Sequence, residues 1–303
     1  MEFSIKYYFI KIASDCKIWF QSIIEEHKSK EIPYNRLKIV KKLGRGGFGI
    51  VYKASYSSLG YVAIKEMEGA TTYEKAQKHF INELKRLNGT NHERIIKFYG
   101  ISLDKKEKTC YLVMEFANNE TLREYLQKNK LEWPEKIHLA SQISEGMSYL
   151  HSIEIIHCDL HTSNILIHDG NAKISDFGTS KNLDSIAVTS SKEFCGVIPF
   201  VDPRIFEDSE YQYDKKSDVY SIGVLLWEIS SNGQPPFSRG NDNDRIGIAL
   251  KIVKGLRERP IAGTPKQYID LYENCWEYEP NERPPMIQIF QQLNSLELDP
   301  KFF

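Results

Sequence analysis

The 303-residue sequence predicts an α+β fold in two lobes, a β-rich first lobe with one main helix and a mostly helical second lobe. Three observations predict it. The stretches LKIVKKL and GIVYKASY alternate apolar and polar residues at the two-residue period of half-buried strands, and YVAIKEM reads as a third strand. Residues 73–88 instead space Phe80, Leu84 and Leu87 along one helical face. After Ala117 the helical spacing takes over, so residues 115–119 read as a hinge between the two regimes.

Residues 1–33 read as a helical leader closed by Pro33. MEFSIKYYFIKIASDCKIWF has a short apolar run, Tyr7–Ile10, broken on both sides by Lys6 and Lys11. That run is too short and too flanked by charge for a signal peptide core or a membrane span, which leaves an amphipathic helix that packs on the domain or on a partner. The main domain is expected at 34–298, with a first lobe at 34–116, a second at 117–298 and a tail at 299–303. Strand, glycine-rich turn and strand open it, and YVAIKEM (61–67) supplies a third strand. IIKFYGI and TCYLVMEF supply two more after the helix. LREYLQ is a short helix. PEKIHLASQISEGMSYLHS begins with Pro134, favoured in a first helical turn, and carries an apolar stripe of Ile137, Ala140, Ile143, Met147 and Leu150. Further helices are expected near 215–231, 243–255, 265–276 and 284–296.

Forty basic and forty-one acidic residues leave a net charge of −1, so no field of one sign steers the chain toward nucleic acid or an anionic membrane. The five cysteines, Cys16, Cys110, Cys158, Cys195 and Cys275, show neither CxxC nor zinc-ligand spacing. A reducing, cytoplasmic compartment fits that usage, with no membrane insertion and no nucleic-acid partner. Oligomeric state is not written in the pattern.

Gly44-Arg45-Gly46-Gly47-Phe48-Gly49 is a glycine-rich loop whose backbone N–H groups can approach phosphates with no Cβ in the way. A dinucleotide fingerprint shares this pattern but opens a helix, whereas here a β-branched strand follows. Val62-Ala63-Ile64-Lys65 then places a lysine on a neighbouring strand, suited to phosphate oxygens, and Glu83 on the next helix can hold it through an ion pair. In HCDLHTSN (157–164), Asp159 and Asn164 lie five apart, and Asp176-Phe177-Gly178 follows. One aspartate can accept a hydroxyl proton, while the asparagine and the second aspartate offer oxygens that suit Mg²⁺. Each of these residues alone is a common turn or surface residue. In this order and spacing they form one signal.

With these motifs the chain resembles a eukaryotic protein kinase, of the tyrosine-kinase-like or tyrosine-kinase branch, from about Tyr34 to Leu298. HERIIKFYG (92–100), KSDVYSIGVLLWEI (216–229) with Asp218, Trp276 and Asn281-Glu282-Arg283-Pro284 extend the resemblance. It implies ATP and Mg²⁺ as cofactors and a protein hydroxyl as acceptor. It implies that Gly44, Gly46 and Gly49 cover the phosphates, with Leu43 in the nucleotide-binding set and Val51 and Ala63 above the adenine. Lys65 would contact phosphates and pair with Glu83. Met114 would be the gatekeeper, the backbones of Glu115 and Ala117 would bind the adenine edge, and Leu166 would lie beneath it. Asp159 would be the catalytic base, with Asn164 and Asp176 on the metal and Asp218 bracing the catalytic loop.

Four positions depart from the family pattern. Cys158 replaces an arginine that pairs with a phosphorylated residue, so phosphorylation of Ser185, Thr189, Ser190 or Ser191 is not expected to act through that pocket. His161 replaces the lysine that serine/threonine kinases place near the γ-phosphate, where a protonated imidazole could partly substitute. Val197 replaces a threonine that bonds the catalytic aspartate. Arg204 stands where the family has a glutamate paired with Arg283, which would set like charges together unless Glu207 or Asp208 intervenes. An active kinase, with serine or threonine as the leading acceptor and tyrosine or dual specificity as the alternative, is one reading. A nucleotide-binding pseudokinase scaffold and a small-molecule kinase are the others.

Overall fold

The computed structural model describes residues 16–46, 49–67, 69–71, 73–182, 196–208, 210–238 and 245–298. These fall into two compact units. The first comprises the described residues up to Asn91 together with Ile96–Ala117, and the second comprises His92–Ile95 and the described residues from Asn118 on.

In the first unit, helix α1 spans 16–27. It stops well before Pro33 because Lys28 turns to φ 49° and the Ser29 N–H donates back to Ile24 O, a left-handed helix cap. Strands β1 (Lys38–Gly46), β2 (Gly49–Tyr56) and β3 (Gly60–Met67) follow, then helix α2 (Glu74–Gly89), β4 (Phe98–Asp104) and β5 (Thr109–Glu115). All pair antiparallel in the order β1-β2-β3-β5-β4. Ile32, Leu37, Ala54, Val62, Ile64, Tyr111 and Val113 form the apolar core on one face. Phe80, Leu84 and Leu87 are buried as the helical spacing requires. The fourth strand starts later than the run IIKFYGI suggests, because Ile95 is taken by a bridge to Ile174 and packs with the second unit.

The second unit contains α3 (Leu122–Lys128), α4 (Trp133–Ser152), β6 (Ile155–Ile156), β7 (Ile165–His168), β8 (Asn171–Ile174) and β9 (Lys181–Asn182). Then come α5 (Arg204–Glu207), α6 (Lys215–Ser230), α7 (Arg245–Val253), α8 (Lys266–Cys275) and α9 (Met286–Asn294). Thr121 and Glu124 close a reciprocal capping box on α3, and Asp214 and Ser217 do the same on α6. Helix α6 is buried on every side from Ser217 to Ser230, so its polar residues Asp218 and Glu228 are forced to find partners inside. The short pairs β6–β9 and β7–β8, which the sequence pattern did not show, carry the polar loop segments. No helix among the described residues is long and apolar enough to cross a membrane. Ser185, Thr189, Ser190, Ser191 and Cys195 lie outside the described residues, as do Gly47 and Phe48.

Candidate active site

In the first unit the glycine-rich hairpin pairs Gly44 with Val51, Arg45 with Ile50 and Gly46 with Gly49. Gly44 has room around it, since a Cβ there would meet nothing within 4 Å. Gly49 has a different reason to be glycine. Its φ is +146°, and a Cβ would sit 1.9 Å from the carbonyl oxygen of Glu66 on β3, so a side chain there would push the two strands apart. Leu43 is exposed, and Val51, Ala63, Met114, Glu115 and Ala117 are half-buried. Ala63 pairs with Met114 across β3 and β5. The Glu115 N–H donates to Lys97 O at 2.8 Å, which commits it to the first unit's own backbone.

Lys65 sits in the middle of β3, opposite Val51 on one side and Leu112 on the other. Its Nζ donates to Glu83 Oε1 at 2.7 Å, and both residues are buried. An ion pair taken out of water this completely is held by geometry, because removal of either partner strands a buried charge. The pairing expected from the sequence is therefore formed.

In the second unit Asp159, Asn164 and Asp176 stand on irregular backbone. Cys158 has φ 66° and Asp176 φ 62°, the left-handed region that disfavours residues with a Cβ. Asp218, in the first turn of α6, holds this backbone in place. Its carboxylate accepts the N–H of His157 at 2.9 Å and of Cys158 at 3.0 Å, and lies 2.8 Å from His151 Nε2. The bracing role expected of Asp218 is thus visible as three contacts. Asn164 Nδ2 donates to Asp159 O at 2.8 Å, while Ser175 donates its N–H and its hydroxyl to Asn164 O, both at 2.9 Å. Asp159, Asn164 and the strand leading to Asp176 are thereby tied together. Leu166, on β7, is half-buried and forms a bridge with Thr121.

Asp159 Oδ1 is buried and has no hydrogen-bond donor among the described residues. Burial pushes the Asp159 carboxyl above its ordinary range; the charge of His157 opposes this and that of Asp176 adds to it. His161 Nε2 lies 3.4 Å from Asp159 Oδ1. The Ser163 N–H donates to His161 Nδ1, which leaves the proton of a neutral ring on Nε2; that nitrogen is near Asp159 Oδ1 but does not reach hydrogen-bond geometry with it. Burial, followed by the charges of His157 and Arg123, lowers the His161 pKa to about 4, so the ring is neutral near pH 7. The charged imidazole considered from the sequence is not what this environment favours.

Cys158 is buried in an apolar cluster with Ile156, Val201, Ile205 and Tyr213. The like-charge contact between Arg204 and Arg283 does not form. Arg283 takes Asp202 as a bidentate partner, at 2.5 Å and 3.1 Å, with both side chains fully buried. Its remaining donors go to the carbonyls of Glu277, Lys216 and Tyr278. Arg204 turns outward to Glu279 at 3.2 Å, near the rings of Tyr211 and Tyr278. Neither Glu207 nor Asp208 replaces the missing glutamate; Asp202, two residues earlier, does.

Sequence reasoning also missed a second buried acid. Glu228 accepts from Arg123 Nε at 2.5 Å and Nη2 at 3.1 Å and from Thr162 at 2.8 Å. This links α3 and α6 to the loop that carries Asp159. An acid inside the apolar run VLLWEI was the available signal, since such a residue must be paired if the helix is buried.

Comparison with known proteins agrees with this geometry. The chain matches the family model described as protein tyrosine and serine/threonine kinase over residues 37–293. It belongs to that family and is a eukaryotic protein kinase of the tyrosine-kinase-like branch. It is 35% identical over 276 residues to human "Mitogen-activated protein kinase kinase kinase 7", covering 88% of this chain and 43% of that protein. It is 32% identical over 279 residues to "Putative serine/threonine-protein kinase/receptor R826" of Acanthamoeba polyphaga mimivirus, covering 88% of this chain and 16% of that protein. The mouse "Tyrosine-protein kinase TXK" is 32% identical over 271 residues, covering 88% of this chain and 49% of that protein. The chain thus spans less than half the length of these relatives.

Proposed function

We propose that this chain is an active protein kinase that moves the γ-phosphoryl group of ATP to a serine or threonine hydroxyl of a protein. The observation that carries the reading is Asp159 Oδ1, a buried carboxylate oxygen that accepts no hydrogen bond among the described residues, on a carboxyl whose affinity for protons is raised. Such an oxygen suits an acceptor hydroxyl: it takes the proton as the hydroxyl oxygen bonds to phosphorus and the bond to the departing ADP oxygen breaks. Lys65, fixed by Glu83, supplies positive charge to the phosphates, and the hairpin backbone covers them. Val51 and Ala63 would lie above the adenine and Leu166 beneath it, with Leu43 in the nucleotide-binding set and the backbones of Glu115 and Ala117 at the adenine edge.

The donor set of one carboxylate and one amide oxygen, Asp176 and Asn164, fits Mg²⁺, which keeps waters and phosphate oxygens as its other ligands. Mg²⁺ would neutralise charge on the transferring phosphate. Serine or threonine is favoured as acceptor by the names of relatives such as the mimivirus protein, with tyrosine the alternative that the mouse relative represents. Incubation with labelled ATP, Mg²⁺ and mixed Ser/Thr and Tyr peptides tests the proposal. Labelled phosphoserine or phosphothreonine is expected, and its loss in Asp159→Asn. Nucleotide binding without any transfer would instead favour the scaffold reading.

A further inference from the structure

Residues 16–32 lie outside the segment matched by the family model, yet they are built into the first unit. Helix α1 buries Cys16, Phe20 and Ile23, one face at helical spacing. Its contacts with α2 include a ring pair and a hydrogen bond. The rings of Trp19 and Phe80 lie 5.8 Å apart, and Asn88 Nδ2 donates to His27 O at 2.7 Å. Trp19 and His27 are eight residues apart, as are Phe80 and Asn88, so the contacts are spaced about 12 Å along each helix and the two run side by side in the same direction.

The end of this segment has a seat of its own. The Ile32 N–H donates to Ile101 O at 2.8 Å, and the Ile101 N–H donates to Lys30 O at 2.9 Å, which adds a short parallel strand to the outer edge of β4. Gly100 makes room for it. At φ +149° a Cβ on Gly100 would lie 2.1 Å from Lys30 O. Ile32 then enters the same apolar core as Val62 and Ile64 on β3, the strand of Lys65.

Helix α2 needs such support. Its N-terminus has no side-chain cap, and it carries Glu83 less than one turn beyond Phe80. We propose that residues 16–32 are a positioning element of the kinase: α1 holds α2 through Trp19–Phe80 and Asn88–His27, and so keeps Glu83 on Lys65. Trp19 is a positioning residue in this account, and its effect on catalysis rests on the phosphoryl-transfer reading above.

The test uses the full chain with Trp19→Ala, Trp19→Phe and, at the second contact, Asn88→Ala. Hydrogen exchange of residues 74–89 is expected to speed up in Trp19→Ala, less so in Asn88→Ala, while residues 215–230 keep wild-type exchange. Unchanged exchange in 74–89 overturns the proposal, and this arm decides even if the chain transfers no phosphate. With transfer present, Trp19→Ala is expected to lower kcat/KM about tenfold, with most of it restored in Trp19→Phe. In a Glu83→Gln background the same substitution is expected to change kcat/KM less than about twofold, since the path through Glu83 is already cut. An equal loss in both backgrounds would show that Trp19 does not act through Glu83, and overturns the proposal.

Discussion

The two units hold their site residues by different means. In the first, Lys65 and Glu83 are delivered by a regular strand and a regular helix, and the sheet register sets where Lys65 stands. In the second, Asp159, Asn164 and Asp176 stand on loops with left-handed backbone, held from below by buried acids on or near a buried helix. The contrast teaches that the regular half is positioned by many small packing contacts, while the irregular half is positioned by a few charged hydrogen bonds. Single substitutions beneath the irregular half should therefore have the larger effects.

Asp202→Ala sharpens this contrast most. It leaves the fully buried Arg283 without its carboxylate, and a loss of about 3 to 5 kcal/mol in unfolding free energy is expected. Chemical denaturation measures it directly. Asp218→Asn follows. It keeps the shape but removes the charge that accepts from His157 and Cys158, for an expected loss of about 2 to 3 kcal/mol with a fall in kcat. Loss of kcat without loss of stability would mean that Asp218 does not hold the loop as described.

The third prediction concerns pH. His161 ordinarily titrates near 6.5 but in the folded protein near 4, so between these values the unfolded chain binds a proton that the folded chain refuses. Stability then falls as pH drops from about 6.5 toward 4, by at most about 1.4 kcal/mol per pH unit from this group. His161→Gln should flatten that part of the acid limb in urea unfolding curves. The smallest effect is expected at Arg204→Glu. Arg204 is not opposed to Arg283 but rests on exposed Glu279, so the substitution should cost under about 1 kcal/mol rather than raise the melting temperature.

Much of the first unit was legible in the sequence. The strand readings of GIVYKASY and YVAIKEM became β2 and β3 with few changes, and the spacing of Phe80, Leu84 and Leu87 became the buried face of α2. Local period decides these elements, and local period is what a sequence displays. The irregular half was legible only as motif. The role of Asp202 was not legible because its partner Arg283 is 81 residues away and no local pattern links them. Glu228 and Thr162 meet across 66 residues for the same reason. The burial of Cys158 follows from Ile156, Val201, Ile205 and Tyr213, whose assembly around it no local pattern announces.

The proposed function requires Lys65 and Asp176 to serve one phosphoryl transfer. The direct measurement is kcat/KM for Lys65→Ala, Asp176→Ala and the double variant. Each single variant should lose about a thousandfold, and the double variant should be little slower than the slower single one, as for residues that act as a unit. A Lys65→Ala enzyme with wild-type kcat/KM, or losses that multiply in full, would contradict it.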